Sequence, residues 1–216
     1  MRKFLRDNGL SVTMLALFLV FIVGQSLTGL RQYNEQQRDH GRPEIGLGTY
    51  WGTGDFVEAT FENWESEFLQ MGLYVLLTAF LYQKGSSESN PLPGEKRKSP
   101  ARIGPDSPAP LHRGGWLLRI YSHSLSGVLL LLFLVSFFLH AAGGTAKYNH
   151  EQELRGAAGI SMLEYLGSSR FWFESFQNWQ SEFLSVGAIV LLSVVLREKG
   201  SSQSKDLAAP HAATGD

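Results

Sequence analysis

The chain has 216 residues, no cysteine, 12% aromatic residues and a formal net charge of −1. Without cysteine, disulfides, thiolate metal ligands and cysteine nucleophiles are excluded. A near-neutral balance lacks the basic face that nucleic acid requires, so no nucleic-acid partner is expected. A mean hydropathy close to zero conceals strong segregation, because the apolar residues gather in four stretches.

Residues 10–30 run without a charge and are long enough to cross a hydrocarbon core at about 1.5 Å per residue. Arg2, Lys3 and Arg6 ahead of this run give residues 1–26 the layout of a secretory signal. No small-x-small site follows cleanly and a related segment recurs mid-chain, so a retained span is expected. The sequence RQYNEQQRDHG then has helix-forming composition and closes on Gly41 as a C-terminal stop. Residues 46–52 read as a turn, since their glycines have the wrong spacing for a phosphate loop and follow no strand. Thr53 can cap a helix through FVEATFENWESEFL into the second apolar stretch, 68–82. That stretch reaches spanning length only when its helix starts near Trp64, at headgroup depth.

Residues 91–113 carry six of the eight prolines and read as a disordered cytoplasmic linker. Residues 116–120 read as a short interfacial segment leading into the third span, 125–144. Gly156 and Ser168 repeat the stop and cap signals, and a fourth apolar stretch covers 183–196, reaching spanning length only if its helix starts near Trp179. Residues 205–216 resemble the linker and are expected to be a disordered tail.

A shift of 115 residues aligns 10–89 with 125–204 without a gap, with 33 of 80 positions identical. This is the signature of a tandem duplication. The best-kept piece is Phe61-x-Asn63-Trp64-x-Ser66-Glu67-Phe68-Leu69-x-x-Gly72, matched by Phe176-x-Asn178-Trp179-x-Ser181-Glu182-Phe183-Leu184-x-x-Gly187. Lys84-Gly85-Ser86-Ser87 recurs as Lys199-Gly200-Ser201-Ser202. The expected fold is an all-α membrane protein: four transmembrane helices in two tandem parallel hairpin repeats, a pseudo-two-fold bundle. The repeats occupy 1–90 and 114–204. Thirteen Lys and Arg fall on the side of the termini and linker, against six in the hairpin loops, so both termini are expected in the cytoplasm.

On a helix, Asn63, Ser66 and Glu67 share a face, as do Asn178, Ser181 and Glu182. Phe61, Trp64 and Phe68, with Phe176, Trp179 and Phe183, form a second stripe expected to anchor at the membrane interface. A carboxylate beside an apolar run is costly unless it is paired, hydrogen-bonded or wet. Pseudo-symmetry would set Glu67 and Glu182 across the axis, able to share a proton or hold a cation. Alternatively, each glutamate bonds a backbone, Tyr or Asn donor, with Tyr33-Asn34 and Tyr148-Asn149 as candidates. Gln25 and His140 occupy matched positions near the outer ends of spans one and three. A Gln–His pair is no symmetric metal site, and HExxH and HxxxH spacings are absent, so neither metal nor cofactor is expected.

At NWxSEFL, followed by an apolar span and then KGSS, the chain resembles a family of small bacterial membrane proteins known as a domain of unknown function. The resemblance covers both repeats and implies a bacterial inner-membrane location. It brings no activity, cofactor or catalytic residue. The expected function is therefore non-enzymatic: a structural, accessory or partner-binding role through the extracytoplasmic aromatic and acidic helices. The expected partners are the lipid bilayer and a membrane protein or a second copy. The alternative is a small channel or transporter for protons or cations using Glu67 and Glu182.

Overall fold

The computed structural model describes residues 2–95 and 103–215. Among these it is all-helical: α1 (Arg2–Asp39), α2 (Leu47–Tyr50), α3 (Gly54–Leu77), α4 (Ala109–Arg113), α5 (Gly115–Ser122), α6 (Ser124–Leu154), α7 (Met162–Leu166) and α8 (Ser169–Leu192). The chain divides into two compact units. One holds Met1–Phe61 and Phe138–Phe171, the other Glu62–Phe137 and Trp172–Asp216.

Two helices, α1 and α6, are long and apolar enough to cross a membrane. Leu19, Val20 and Phe21 in α1 are each more than half exposed. A soluble surface helix would turn such residues inward along one stripe. The second and fourth apolar stretches form shorter helices than their composition suggested. α3 stops at Leu77, before Tyr82, and α8 stops at Leu192, before Leu196. After Leu77 the bonding tightens, with Phe80 N reaching Leu77 O at 3.0 Å, three residues back.

In the first unit, α1 and α6 end in the same way. Gly41 and Gly156 both have φ +68°, a conformation that favours glycine. Arg42 N bonds Gln37 O at 2.8 Å, and Ala157 N bonds Gln152 O at 2.9 Å, satisfying carbonyls in the last turn. The Asn34 amide then exchanges two hydrogen bonds with the Ile45 backbone, at 3.0 and 2.9 Å. Asn149 does the same with Ile160, at 2.9 and 2.7 Å. These clamps fold the chain back so that α2 and α7 can bury Tyr50 and Tyr165. Thr53 and Ser168 cap the next helices, their hydroxyls accepting from Phe56 N at 3.4 Å and Phe171 N at 3.3 Å.

The start of α3 meets α6 backbone to backbone. A methyl group on Gly143 would lie 2.5 Å from the Glu58 nitrogen, and one on Gly54 would lie 2.7 Å from the Gly143 oxygen. Gly143→Ala is therefore expected to force the two helices apart and lower stability by about 2 kcal/mol. Thermal unfolding in detergent micelles measures this, and an unchanged midpoint would contradict the close approach.

In the second unit, the linker is not wholly without regular structure. α4 follows Pro108, a residue suited to a helix start, and α5 contains the expected interfacial segment 116–120. Linker residues 96–102 lie outside the described residues. The segment from Lys205, expected to be a disordered tail, is instead tied to the loop at 85–86. Lys205 is buried, and its ammonium donates to the carbonyls of Gly85, Ala213 (2.9 Å) and His211 (3.0 Å). Gly85 N donates to Thr214 Oγ1 at 3.0 Å, and Gly215 N to Ser86 O at 2.9 Å. The composition of 205–216 suggested disorder because it lacks an apolar core. What holds it is a buried cation surrounded by backbone acceptors, together with these backbone and hydroxyl bonds.

Candidate functional site

Among the described residues, the first unit gathers a dense set of ionisable side chains. Glu58 of α3 is almost wholly buried, and its Oε2 accepts from Lys147 Nζ of α6 at 2.7 Å. Burying such a pair is tolerable only because each charge neutralises the other. Beside it, the His150 ring stacks on Tyr33, with centroids 5.7 Å apart. His150 Nε2 lies 3.1 Å from Gln37 Nε2 and 3.3 Å from the Tyr33 hydroxyl. Glu151 accepts a two-pronged bond from Arg170 at 2.8 and 3.1 Å, while the guanidinium lies over the Tyr148 ring. Arg42 joins Glu153 at 3.0 Å. Helices α3, α6 and α8 and the loop after α1 thus present their charges to one another in matched pairs.

Asp55, in the first turn of α3, sits among these groups. Burial raises its carboxyl above the ordinary carboxylate range, while the charges of Lys147 and His150 pull it back down and Glu151 pushes it up again. A raised folded-state value means that the fold favours the protonated acid. This stabilisation is present below the ordinary carboxylate range and is lost as pH rises through the raised value. Asp55→Asn is expected to remove that loss, so the variant should lose less stability than the wild type between mildly acidic and neutral pH. Parallel pH profiles for the two proteins would contradict this.

The sequence-predicted residues are distributed differently. In the first unit, Gln25 Nε2 donates to Thr60 Oγ1 at 3.1 Å, and His140 is fully buried with its ring 4.8 Å from that of Phe171. Tyr33-Asn34 and Tyr148-Asn149 serve His150, Arg170 and the two backbone clamps. Phe61 also belongs to this unit.

In the second unit, Ser66 and Ser181 turn back onto their own helices, donating to Asn63 O and Asn178 O at 2.8 Å. Asn178 Nδ2 donates to Glu62 Oε1. Trp179 Nε1 donates to Glu65 Oε1 at 2.9 Å, and Glu65 is fully buried. Glu67 and Glu182 lie within electrostatic range of each other, with Glu67 exposed and Glu182 partly so. The aromatic stripe splits as well. Trp64 packs edge-on against Phe68 at 6.5 Å, and Trp179 packs against Phe176 at 5.6 Å, while Phe183 is exposed.

Sequence reasoning missed Glu58, Lys147, Glu65 and Glu62. Glu65 and Glu67 are two residues apart, about 200° around a helix, so burying one turns the other outward. The available signal was acidic crowding: α3 carries five carboxylates before its apolar half, more than an interface needs.

The fold and this charge-paired cluster describe an all-helical protein with two helices fit to cross a membrane. By family, the chain belongs to the one described as domain of unknown function (DUF6766), whose model matches residues 1–216. No curated protein and no solved structure matches the chain.

Proposed function

We propose that the chain is a non-enzymatic, multi-pass protein of a bacterial cytoplasmic membrane. Its four spans form two tandem hairpins, its termini and linker lie in the cytoplasm, and its extracytoplasmic helices bind a membrane-protein partner or a second copy. The exposed apolar surfaces of α1 and α6 support the membrane setting. Matched element boundaries support the repeat, since α2 and α3 begin 115 residues before α7 and α8: Leu47 with Met162, Gly54 with Ser169.

The observation that carries the binding role is an exposed aromatic run at the start of α8. Trp172, Phe173 and Phe176 are 38%, 68% and 55% exposed. Aromatic residues left uncovered together on one helix mark an interaction site. The test is size analysis and chemical cross-linking of membranes expressing wild type or a Phe173→Ser/Phe176→Ser variant. A discrete cross-linked species lost in the variant supports the reading, and an identical pattern in both overturns it.

The electrostatic proximity of Glu67 and Glu182 favours a second reading, proton or cation passage. Flux in liposomes, comparing wild type with Glu67→Gln/Glu182→Gln, decides it. Flux above empty liposomes that the double variant abolishes would make the pair a transport site.

A further inference from the structure

We propose that a cleft in the first unit, between α1, the α2 turn and the start of α3, holds one acyl chain of a membrane lipid. The proposal rests on the membrane reading above. The cleft has a volume of about 310 Å³ and is walled by Ile22, Val23 and Leu27 of α1, Leu47 and Trp51 of the α2 turn, and Phe56 of α3. That volume lies at the low end of the roughly 300–1,000 Å³ range of small-molecule sites, suited to a single chain rather than a whole lipid.

The polar atoms of the cleft select its occupant. Ser26 is its remaining lining residue, and its hydroxyl donates to Ile22 O at 2.7 Å. The same oxygen accepts from Trp51 Nε1 at 3.1 Å. Both side-chain groups are thus committed to the protein. A buried water needs two to four polar partners, so water is poorly held here. A polar ligand would lose its hydration and gain no hydrogen bond in return. A hydrocarbon chain loses nothing.

The mouth sets the source. Val23, Leu27 and Trp51 are each about half exposed, and they continue the uncovered apolar surface of Leu19, Val20 and Phe21 on the same helix. With α1 in a bilayer, the medium at the mouth is hydrocarbon. The site also belongs to one half of the chain. Ser26, Leu47 and Trp51 correspond by the 115-residue offset to Ala141, Met162 and Leu166, and Ala141 and Phe171 are completely buried there. The second half therefore provides a built-in control.

The test uses the full chain in liposomes of phosphatidylethanolamine and phosphatidylglycerol with a trace of phospholipid carrying a diazirine on its acyl chain. After irradiation, labelled peptides are located by mass spectrometry. Labelling of residues 47–56 is expected to exceed that of residues 162–171 by about tenfold, equivalent to roughly 1.4 kcal/mol of preference. Ser26→Phe, which fills the cleft, or Leu27→Trp, which blocks its mouth, should each remove the excess. Equal labelling of both segments in protein that floats with the liposomes would overturn the proposal while leaving the membrane reading intact. Protein that does not float would overturn the membrane reading itself, and the proposal with it.

Discussion

Lys205→Met is expected to release the C-terminal segment, at a cost of about 3 kcal/mol to the second unit. An ammonium has three N–H bonds, and three carbonyls converge on this one: Gly85, Ala213 and His211, with Val194 and Pro210 further off at 3.5 Å. Methionine matches the length and apolar stem but offers no donor, so buried carbonyls are left without a partner. Arginine should not substitute, because its planar fork is too broad for a cage built around a compact cation. The readout is hydrogen exchange at the amides of Gly85 and Gly215, which are protected by Thr214 and Ser86. Both should exchange about a hundredfold faster in the variant, and unchanged protection would show that other contacts hold the segment.

The other large effect is expected at the Glu58–Lys147 pair. Lys147→Met should cost about 4 kcal/mol, because it leaves Glu58 charged and buried and deprives Asp55 of its main countercharge. Glu58→Gln should cost less, about 2 kcal/mol, since the lysine is a quarter exposed and keeps Asp55 nearby. The Glu58→Leu/Lys147→Met double variant should recover much of the loss, as buried pairs replaced by apolar residues often do. A thermodynamic cycle on thermal unfolding measures all of this. Additive losses with no recovery in the double variant would mean that the two residues act independently.

Much of the fold is legible in the sequence. Gly41 and Gly156 mark the ends of α1 and α6 because the left-handed turn they make excludes most side chains. Thr53 and Ser168 mark the following helices because their hydroxyls reach the amides three residues on. The ends of α3 and α8 are not legible, because apolar residues continue past Leu77 and Leu192 and only the backbone registers the turn.

The polar centre is the least legible part. Matching the two halves draws attention to what both retain, such as Asn63, Ser66 and Glu67. The charges that bond between helices stand where the halves differ: Glu58 against Phe173, Glu62 against Gln177, Glu65 against Gln180, and Lys147 against Gln32. A pairing between residues far apart in sequence leaves no periodic trace.

That difference bears on how the protein could be assembled. On the repeat reading, two copies of the first hairpin would each set Glu58 against Gln32, stranding a buried carboxylate. Two copies of the second would set Lys147 against Phe173, stranding an ammonium. Only the unlike combination neutralises both. Produced as two separate polypeptides, the halves would be complementary rather than interchangeable, and an excess of either would have no stable partner. The covalent connection thus does more than raise the local concentration of one half around the other. On that reading it also fixes their supply at one to one, and the divergence of the charges would close self-pairing to either half.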